Sequence, residues 1–331
     1  MIPSTMLAVQ VLHDGRLVTG PVPVPVPDPG EVLIKVACSP INPSDLGFVA
    51  GVHGTPIVAG LEGSGRVVAA GPGLIPRALH GRRVAFASAH GGAWAEYAVA
   101  KAMRCIPLTR RVSTEQGSML IVNPLTAIAF FDMARRGRHH AIVNNAAASA
   151  LGRMLIRLGR RHGIPVISIV RRPEQAGAIM QAGAAHVLDS SDPSFASALR
   201  DLAGRLRATL VLDAIGGAHT QTLVEAAPPG STIVAYSALA GEPSTFHPRT
   251  LIAEDKTIVG FYLGNWAAKK NLVRTIRDVI AVQQLIGSGL ETDVRRRMPL
   301  EAAQQAVDLY AREMSAGKIL LVADPGQVAP A

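Results

Sequence analysis

A run of small and polar residues, from Asn144 to Gly152, has the composition of a phosphate-binding turn. It closes an apolar, strand-like segment that begins at Ala141 and opens a helix-like segment, Ser149–His162. Unpaired N–H groups and the dipole at a helix N-terminus favour anions, and small side chains let a pyrophosphate approach the backbone. Of the three glycines in the pattern G-x-G-x-x-G only Gly152 is present, so the strand–turn–helix context carries the prediction of a dinucleotide site. A tightly packed turn without a ligand is the alternative.

Two adjacent arginines, Arg171 and Arg172, follow Gly152 by 19 and 20 residues, at the end of the next apolar segment. An NAD site carries an acidic residue at about this spacing, where it holds the ribose 2′-hydroxyl. The arginine guanidinium instead presents a planar fork that matches phosphate oxygens. The pair predicts a 2′-phosphate contact and therefore NADPH rather than NADH, with two exposed arginines beside a helix start as the alternative.

These residues belong to a part of the chain, from about residue 123, in which apolar strands alternate with helices. Near-continuous apolar strands in such an alternation predict a parallel sheet buried on both faces, and right-handed crossovers then produce a doubly wound Rossmann fold. The predicted strands are Ala141–Ala147, Val166–Val170, His186–Leu188, Thr209–Asp213, Thr232–Tyr236 and Thr257–Leu263, and the predicted helices are Ser149–His162, Pro173–Ala182, Ser194–Ala203 and His219–Ala227.

The first part of the chain is predicted to be rich in β-strands, and a length of 331 residues fits two domains. Pro21–Pro29 alternates proline with valine and is predicted to be an extended connector. Two helices, over about 267–288 and 300–315, and a last strand, Lys318–Val322, are expected to return to this first domain. The predicted strands are Met6–Leu12, Glu31–Ala37, Arg66–Ala70, Arg83–Ala87 and Ala93–Val99.

The composition excludes several classes of protein. Hydrophobic residues are 48% and charged residues 17%, as in globular proteins. No apolar stretch has the roughly 18 residues that a membrane span needs. The net charge of +9 is scattered and aromatic residues are only 4%, which disfavours nucleic acid as a partner. The two cysteines, Cys38 and Cys105, are interpreted as free thiols of a cytoplasmic protein.

Five motifs together resemble the medium-chain dehydrogenase/reductase superfamily, and most closely its zinc-free quinone oxidoreductases and 2-enoyl thioester reductases. The motifs span nearly the whole chain and are specific to the superfamily rather than to a substrate. They are Ile41–Asp45 (INPSD), Ala59–Gly65 (AGLEGSG), Asn123–Ala127 (NPLTA), Gly260–Leu263 (GFYL) and Gly317–Lys318.

The resemblance implies an α/β protein with a β-rich GroES-like catalytic domain and a doubly wound parallel-sheet Rossmann domain. The expected boundaries are 1–122, completed by 266–331, for the first domain and 123–265 for the NADPH-binding domain. A homodimer is also expected, since the strand Thr257–Leu263 would otherwise be an exposed apolar edge. The expected cofactor-binding residues are Thr126, Ala148, Ser149, Ala150, Leu151, Gly152, Arg171, Arg172, Tyr236, Ser237, Phe261, Leu263 and Lys318.

The resemblance to this superfamily also predicts that the protein binds no catalytic zinc. Asn42 and Leu61 stand where zinc enzymes of the superfamily place a cysteine and a histidine ligand, and a catalytic zinc needs three protein ligands. A metal-free enzyme must stabilise the developing negative charge with hydrogen-bond donors. The expected donors are Asn42, Tyr262 and His53, which the resemblance makes the apparent equivalent of a donor tyrosine in the enoyl thioester reductases. A surface-loop role for His53 and a pocket-lining role for Tyr262 are the alternatives.

The predicted activity is an NADPH-dependent, zinc-independent reduction of a quinone or of a C=C bond conjugated to a carbonyl. The alternative is an NADPH-binding regulatory or nucleic-acid-binding protein without turnover. Two acidic residues near the expected sites, Glu62 and Asp213, are interpreted as structural rather than catalytic.

Overall fold

The computed structural model of this chain describes residues 1–51, 56–88 and 92–328. Contacts group the chain into two compact units, a first unit of Met1–Asn123 with Val279–Ala331 and a second unit of Pro124–Asp278. The predicted boundaries at 122/123 and 265/266 stay a prediction. No helix within the described residues combines the length and the apolarity that crossing a membrane requires.

The secondary structure is numbered here in chain order. The strands are β1 (Thr5–Val11), β2 (Leu17–Pro23), β3 (Glu31–Pro40), β4 (Ile57–Val58), β5 (Glu62–Ala70), β6 (Arg83–Ala87), β7 (Tyr97–Lys101), β8 (Ile106–Pro107), β9 (Ile142–Asn144), β10 (Val166–Val170), β11 (His186–Asp189), β12 (Leu210–Asp213), β13 (Thr232–Ala235), β14 (Thr257–Gly260), β15 (Val294–Pro299) and β16 (Lys318–Val322). The helices are α1 (Pro43–Ala50), α2 (Leu74–Leu79), α3 (Thr114–Ser118), α4 (Val122–Arg136), α5 (Ala150–His162), α6 (Glu174–Gln181), α7 (Phe195–Leu206), α8 (Ala218–Ala226), α9 (Pro248–Ala253), α10 (Leu263–Ala268), α11 (Leu272–Leu285) and α12 (Ala303–Arg312).

The first unit contains a three-stranded sheet in the order β2-β1-β4 and a seven-stranded sheet in which β16 and β5 flank β3. The C-terminal strand β16 runs antiparallel to β3, so the end of the chain returns to this unit as expected. A glycine shapes the entry into β5: Gly60 has φ +90°, and a Cβ there would collide with the ring of Trp94. This turn sets the start of β5, where Glu62 lies.

The second unit contains one six-stranded parallel sheet in the order β11-β10-β9-β12-β13-β14. All five residues of β10 (VISIV) are buried, as a strand covered on both faces requires. The strand order reverses beside β9, because β10 lies on one side of it and β12 on the other. In doubly wound folds, such a reversal marks the edge at which ligands bind. The predicted fold class, with a GroES-like sheet domain and a Rossmann-type sheet, is confirmed.

Two local predictions need correction, and one helix was not predicted. Pro21–Pro23 ends β2 rather than lying in a connector; β2 pairs only with β1, and an edge strand tolerates the missing proline N–H. The predicted strand Thr257–Leu263 ends at Gly260, because the chain turns at Tyr262 into α10. Helix α1 was not predicted, although Pro43 suits the first helical turn.

Candidate functional site

The turn between β9 and α5 lies at the carboxyl end of β9, where the strand order reverses. Ser149 caps α5, and its hydroxyl oxygen accepts the Gly152 N–H at 3.0 Å. Three of the predicted cofactor residues, Ala148, Ser149 and Ala150, are half-buried, and Leu151 and Gly152 are buried. The first turn of the helix therefore presents backbone N–H groups on a surface of small side chains, the arrangement that binds anions.

Gly152 is required by the packing of this turn rather than by its backbone conformation. A Cβ at this position would lie 2.5 Å from the Ala147 carbonyl oxygen and closer still to that of Ala146. The glycine therefore lets the helix lie directly against the chain that leaves β9. This close approach keeps the turn narrow, as a pyrophosphate-binding turn requires.

Asn144, the last residue of β9, carries a buried polar atom without a partner. The residue is 0% exposed, and its Nδ2 atom has no hydrogen-bond partner within the described part of the chain. Its Oδ1 atom accepts the Ala146 N–H at 3.3 Å and lies 3.5 Å from the Tyr236 hydroxyl. A buried amide donor without an acceptor costs about 1–3 kcal/mol, which a bound acceptor would recover. Sequence analysis placed Asn144 in the predicted turn but did not include it among the cofactor-binding residues. The signal for such a role was a side-chain amide at the end of an apolar strand.

The next amide, Asn145, ties this turn to β12. Its Nδ2 donates to Asp213 Oδ1 at 2.6 Å, and its Oδ1 accepts the Ala214 N–H at 2.9 Å. Asp213 also accepts the N–H groups of Ile215 and Gly216, both at 3.0 Å. The carboxylate is thus fully used in joining two loops, which agrees with its interpretation as structural. We call Asn144, Asn145, Ser149, Gly152 and Asp213 the amide turn.

The predicted 2′-phosphate residues, Arg171 and Arg172, follow the carboxyl end of β10 and are both exposed. The Arg171 N–H donates to Gln175 Oε1 at 3.2 Å. The Arg172 guanidinium lies 3.2 Å from Glu174 Oε1, in the first turn of α6. The two arginines therefore stand at the expected sheet edge, with one carboxylate beside them.

The aromatic residues at the ends of β13 and β14 are joined through α4. The ring of Phe130 lies 5.0 Å from that of Tyr236 and 4.8 Å from that of Phe261. Burial, with the nearby charge of Asp213, raises the pKa of Tyr236, so its hydroxyl stays protonated as a donor.

The other predicted residues differ in exposure. Thr126 is buried in α4, Ser237 and Leu263 are half-buried, and Tyr262 is 60% exposed.

The first unit contains a separate cluster of buried charges around Asn42. Asn42 Nδ2 donates to Glu62 Oε1 at 2.8 Å, and Asn42 Oδ1 accepts from the Lys318 ammonium. Lys318 also donates to the Ile41 carbonyl at 2.9 Å and to the Tyr310 hydroxyl at 3.1 Å. Asn42 and Glu62 are each 1% exposed and Lys318 is 2% exposed. The sequence-based prediction of Lys318 as a cofactor contact stays a prediction.

A second carboxylate, Asp45, completes this cluster. It accepts the Asn42 N–H at 2.7 Å and the Leu61 N–H at 2.9 Å. Burial raises the pKa of Asp45 to about 6 and that of Glu62 to about 7, and burial lowers the pKa of Lys318 to about 8. We call Asn42, Asp45, Glu62, Tyr310 and Lys318 the lysine cluster. Sequence analysis missed Asp45 and Tyr310 as its members, since no local pattern brings four chain segments together.

One predicted donor, His53, lies outside the described residues. Within the described ranges, no group of three or more histidine, cysteine, aspartate and glutamate side chains is placed to hold a metal ion. The donor sets of the two clusters are therefore those of hydrogen bonding: amides, carboxylates, one ammonium and backbone N–H groups.

Two family models match this chain. Residues 28–110 match the family described as the alcohol dehydrogenase GroES-like domain. Residues 150–278 match the family described as zinc-binding dehydrogenase. The first match contains Asn42, Asp45 and Glu62 of the lysine cluster, and the second contains Gly152 and Asp213 of the amide turn.

Two solved structures match 96–97% of this chain, and a curated relative matches 84% of it. A Mesorhizobium loti protein provisionally described as an NADPH:quinone reductase is 35% identical, with a TM-score of 0.87 over 97% of this chain and 99% of that chain. A mycobacterial protein solved with NADPH is 26% identical, with a TM-score of 0.84 over 96% and 99%. The mitochondrial enoyl-[acyl-carrier-protein] reductase of Rattus norvegicus is 29% identical over 84% of this chain and 77% of its own length.

Proposed function

This chain belongs to the medium-chain dehydrogenase/reductase superfamily, in the branch of quinone oxidoreductases and enoyl reductases, and we propose that it is an NADPH-dependent reductase. Its proposed substrate is a quinone or a compound with a C=C bond conjugated to a carbonyl. Relatives described as NADPH:quinone reductase and as enoyl-[acyl-carrier-protein] reductase support this class of reaction. They give no support to a regulatory protein without turnover.

The observation that carries the proposal is the fit of the amide turn to a dinucleotide. The backbone N–H groups of Ala150 and Leu151, in the first turn of α5, would hold the pyrophosphate, since the Ser149 N–H already donates to the Ala146 carbonyl at 3.1 Å. Asn144, at the end of β9 where this turn begins, supplies a buried Nδ2 donor that has no partner among the described residues. Thr126, Ala148, Tyr236, Ser237, Phe261 and Leu263 are proposed to line the rest of the cofactor site.

Arg171 and Arg172 are proposed to hold the 2′-phosphate that distinguishes NADPH from NADH. Both side chains are exposed and follow β10, so their guanidinium groups can meet a phosphate without displacing core residues. A charge-assisted arginine–phosphate contact is stronger than a neutral hydrogen bond and favours phosphate geometry. Glu174, which lies 3.2 Å from Arg172, is a competing anion in the same place.

NADPH, when bound, supplies the hydride for the reduction. The residues of this chain would hold the substrate carbonyl with hydrogen-bond donors, which stabilise the developing enolate or phenolate oxygen. Tyr262 offers an exposed hydroxyl, and Asn42 offers the amide hydrogen that Glu62 does not take. His53 is proposed as a third donor on the sequence argument alone. A proton from solvent or from one of these side chains completes the reduction.

The proposed reaction uses no zinc. Asn42 and Leu61 stand at positions that hold a cysteine and a histidine in the zinc enzymes of the superfamily, so two of the three ligands of a catalytic site would be missing. In place of a ligand thiolate, Asn42 brings an amide that bonds Glu62 and Lys318. Metal analysis of the purified protein should find no bound zinc, and full activity should be retained after treatment with a chelator.

The proposed assembly is a homodimer, and the proposed compartment is the cytoplasm. Strand β14 stands at the edge of its sheet, and its Ile258 and Val259 are half-buried, which leaves an apolar edge to pair with a second copy. The two cysteines are free and buried, as in a reducing compartment. Light scattering should give twice the chain mass; a monomer at micromolar concentration would contradict the dimer.

The test of the activity is a substrate screen with purified protein, in which the loss of NADPH absorbance is followed. The screen includes 1,4-naphthoquinone, an α,β-unsaturated ketone and crotonyl-coenzyme A, with NADH in parallel. Turnover of at least one compound, faster with NADPH than with NADH, is expected. No turnover of any of these compounds would refute the proposed function.

A further inference from the structure

We infer that Lys318 is a positioning residue for Asn42 and the start of α1, and that it does not contact the cofactor. The inference rests on the proposed function, and it departs from the role that the family resemblance implies for this lysine. It is carried by the hydrogen bonds of the ammonium and by the way these bonds orient the Asn42 amide.

All three donors of the Lys318 ammonium are used within the first unit. A lysine ammonium has three N–H donors and no acceptor. These are matched by the Ile41 carbonyl at 2.9 Å, the Asn42 Oδ1 atom and the Tyr310 hydroxyl at 3.1 Å. The residue is 2% exposed, so a phosphate would have to displace one of these partners and enter the core to reach it. The ammonium therefore has no free donor for a cofactor.

The same bonds fix the orientation of the Asn42 side-chain amide. The Lys318 ammonium can only donate hydrogen bonds, so the amide atom that faces it is the Asn42 Oδ1 oxygen. Glu62 Oε1 accepts one hydrogen of Asn42 Nδ2 at 2.8 Å. A flipped amide would place N–H groups against the ammonium and its oxygen against a carboxylate, two repulsive contacts in a buried site. Lys318 and Glu62 together therefore fix the orientation of the Asn42 amide at the start of α1.

The lysine cluster also holds the segment that leads into α1. Asp45, in the first turn of α1, accepts the N–H groups of Asn42 and Leu61 and so joins the start of α1 to the turn before β5. Lys318 bonds both Ile41 and Asn42, the two residues before α1. Loss of the ammonium should disturb this segment, and with it substrate turnover, while the amide turn in the second unit is unaffected.

The test separates cofactor affinity from turnover in Lys318→Met. Isothermal titration calorimetry measures the Kd of NADPH, and steady-state assays with 1,4-naphthoquinone and crotonyl-coenzyme A measure kcat and KM. The expected result is a Kd within about twofold of the wild-type value and a fall in kcat/KM of about tenfold or more, the equivalent of one charge-assisted hydrogen bond. A Kd that rises tenfold or more would overturn the inference.

Lys256→Met is the matched control. Lys256 is also a buried lysine, bonded to the Val224 carbonyl at 2.7 Å and to Glu254, and its side chain is 0% exposed. It has no part in either cluster, so its loss should lower stability without changing kcat/KM or the NADPH Kd below the melting temperature. An equal fall of kcat/KM in both variants would show that Lys318 acts only through stability and would overturn the inference.

Tyr310→Phe is the second variant, for the case that Lys318→Met does not fold. It removes one of the three acceptors of the ammonium and leaves the charge in place. A fall in kcat/KM of about two- to fivefold with an unchanged Kd is expected, as for one neutral hydrogen bond. An unchanged kcat/KM, or a raised Kd, would count against the positioning role. The calorimetric arm stands even without turnover, so failure of the proposed function and failure of the inference are distinguishable.

Discussion

The lysine cluster and the amide turn satisfy their buried polar groups in opposite ways. In the lysine cluster two buried carboxylates, Asp45 and Glu62, are influenced electrostatically by the ammonium of Lys318, and Asn42 bonds both the ammonium and Glu62. In the amide turn the one carboxylate, Asp213, is satisfied by amide, hydroxyl and backbone donors. Within the part of the chain that the structure describes, the amide turn leaves the Nδ2 donor of Asn144 without a partner, whereas the ammonium of Lys318 has all three donors matched.

This difference suits the lysine cluster to positioning other residues and the amide turn to binding a ligand. The lysine cluster orders the segments that it joins, and its ammonium has no donor left for a ligand. A turn with unpartnered donors and small side chains is ready for an anion, which restores its missing hydrogen bonds. Changes in the lysine cluster should therefore act on stability and turnover, and changes in or beside the amide turn should act on the affinity for the cofactor.

The largest effect is expected for Lys318→Met on the free energy of unfolding and its pH dependence. Removing one partner of a buried charge pair costs about 3–5 kcal/mol. The folded pKa values of Asp45 (about 6) and Glu62 (about 7) lie above their unfolded values near 4, so the folded state loses stability as the pH rises through this window. Without the positive charge of Lys318, ionising the two buried carboxylates destabilises the folded state more. In urea unfolding, Lys318→Met should therefore lower the free energy of unfolding more at pH 8 than at pH 5.

The control for this pH dependence is again Lys256→Met. Its partner carboxylate, Glu254, has a side chain that is 40% exposed and stays solvated when the lysine is removed. The cost of this variant should change little between pH 5 and pH 8. A pH-independent cost for Lys318→Met would mean that the two buried carboxylates do not depend on the ammonium.

A smaller effect is expected for Gly152→Ala, which tests the amide turn. The new Cβ would lie 2.5 Å from the Ala147 carbonyl oxygen, so the turn must open. Overpacking of this kind costs about 1–3 kcal/mol, and the Kd of NADPH should rise at least tenfold. Gly204→Ala in α7 is the control, since a Cβ there meets nothing within 4 Å and alanine favours the helix. Unchanged NADPH binding in Gly152→Ala would remove the turn from the cofactor site.

The double variant Arg171→Ala/Arg172→Ala tests the cofactor preference without disturbing a core. Both arginines are exposed, so thermal unfolding should change little. Loss of charge-assisted contacts worth about 1.5–3 kcal/mol should raise the KM for NADPH about 10- to 100-fold and leave that for NADH nearly unchanged. Arg205→Ala, at the end of α7, is the matched surface control. Equal effects on both cofactors would contradict the 2′-phosphate assignment.

The smallest effect is expected for Glu174→Gln. The Glu174 and Arg172 side chains are 68% and 51% exposed, and such a surface pair contributes little to stability. Because the carboxylate competes with a phosphate for Arg172, its removal should lower the KM for NADPH by about two- to fivefold, the equivalent of at most about 1 kcal/mol. The KM for NADH serves as the internal reference, and a fall of both values together would argue against this competition.

The sequence was sufficient for the features that depend on local periodicity. Apolar runs such as Val166–Val170 predicted the inner strands of a parallel sheet, and the alternation with helices predicted the doubly wound order. Ser149 and Gly152 were recognisable because a helix cap and a close turn require particular residue types at fixed spacing. The ends of elements were harder, as the strand that stops at Gly260 shows, since tertiary contacts decide where a ladder ends.

Residue types alone thus determined the strand–helix alternation, the family resemblance and the positions of the phosphate-binding turn and the arginine pair. Only the tertiary structure decided that Lys318 bonds Ile41, Asn42 and Tyr310, and that the Nδ2 of Asn144 finds no partner among the residues described. The physical reason is that burial and hydrogen-bond partners depend on which distant segments meet. Lys318 and Asn42 lie 276 residues apart in the chain, and no local pattern records that they meet.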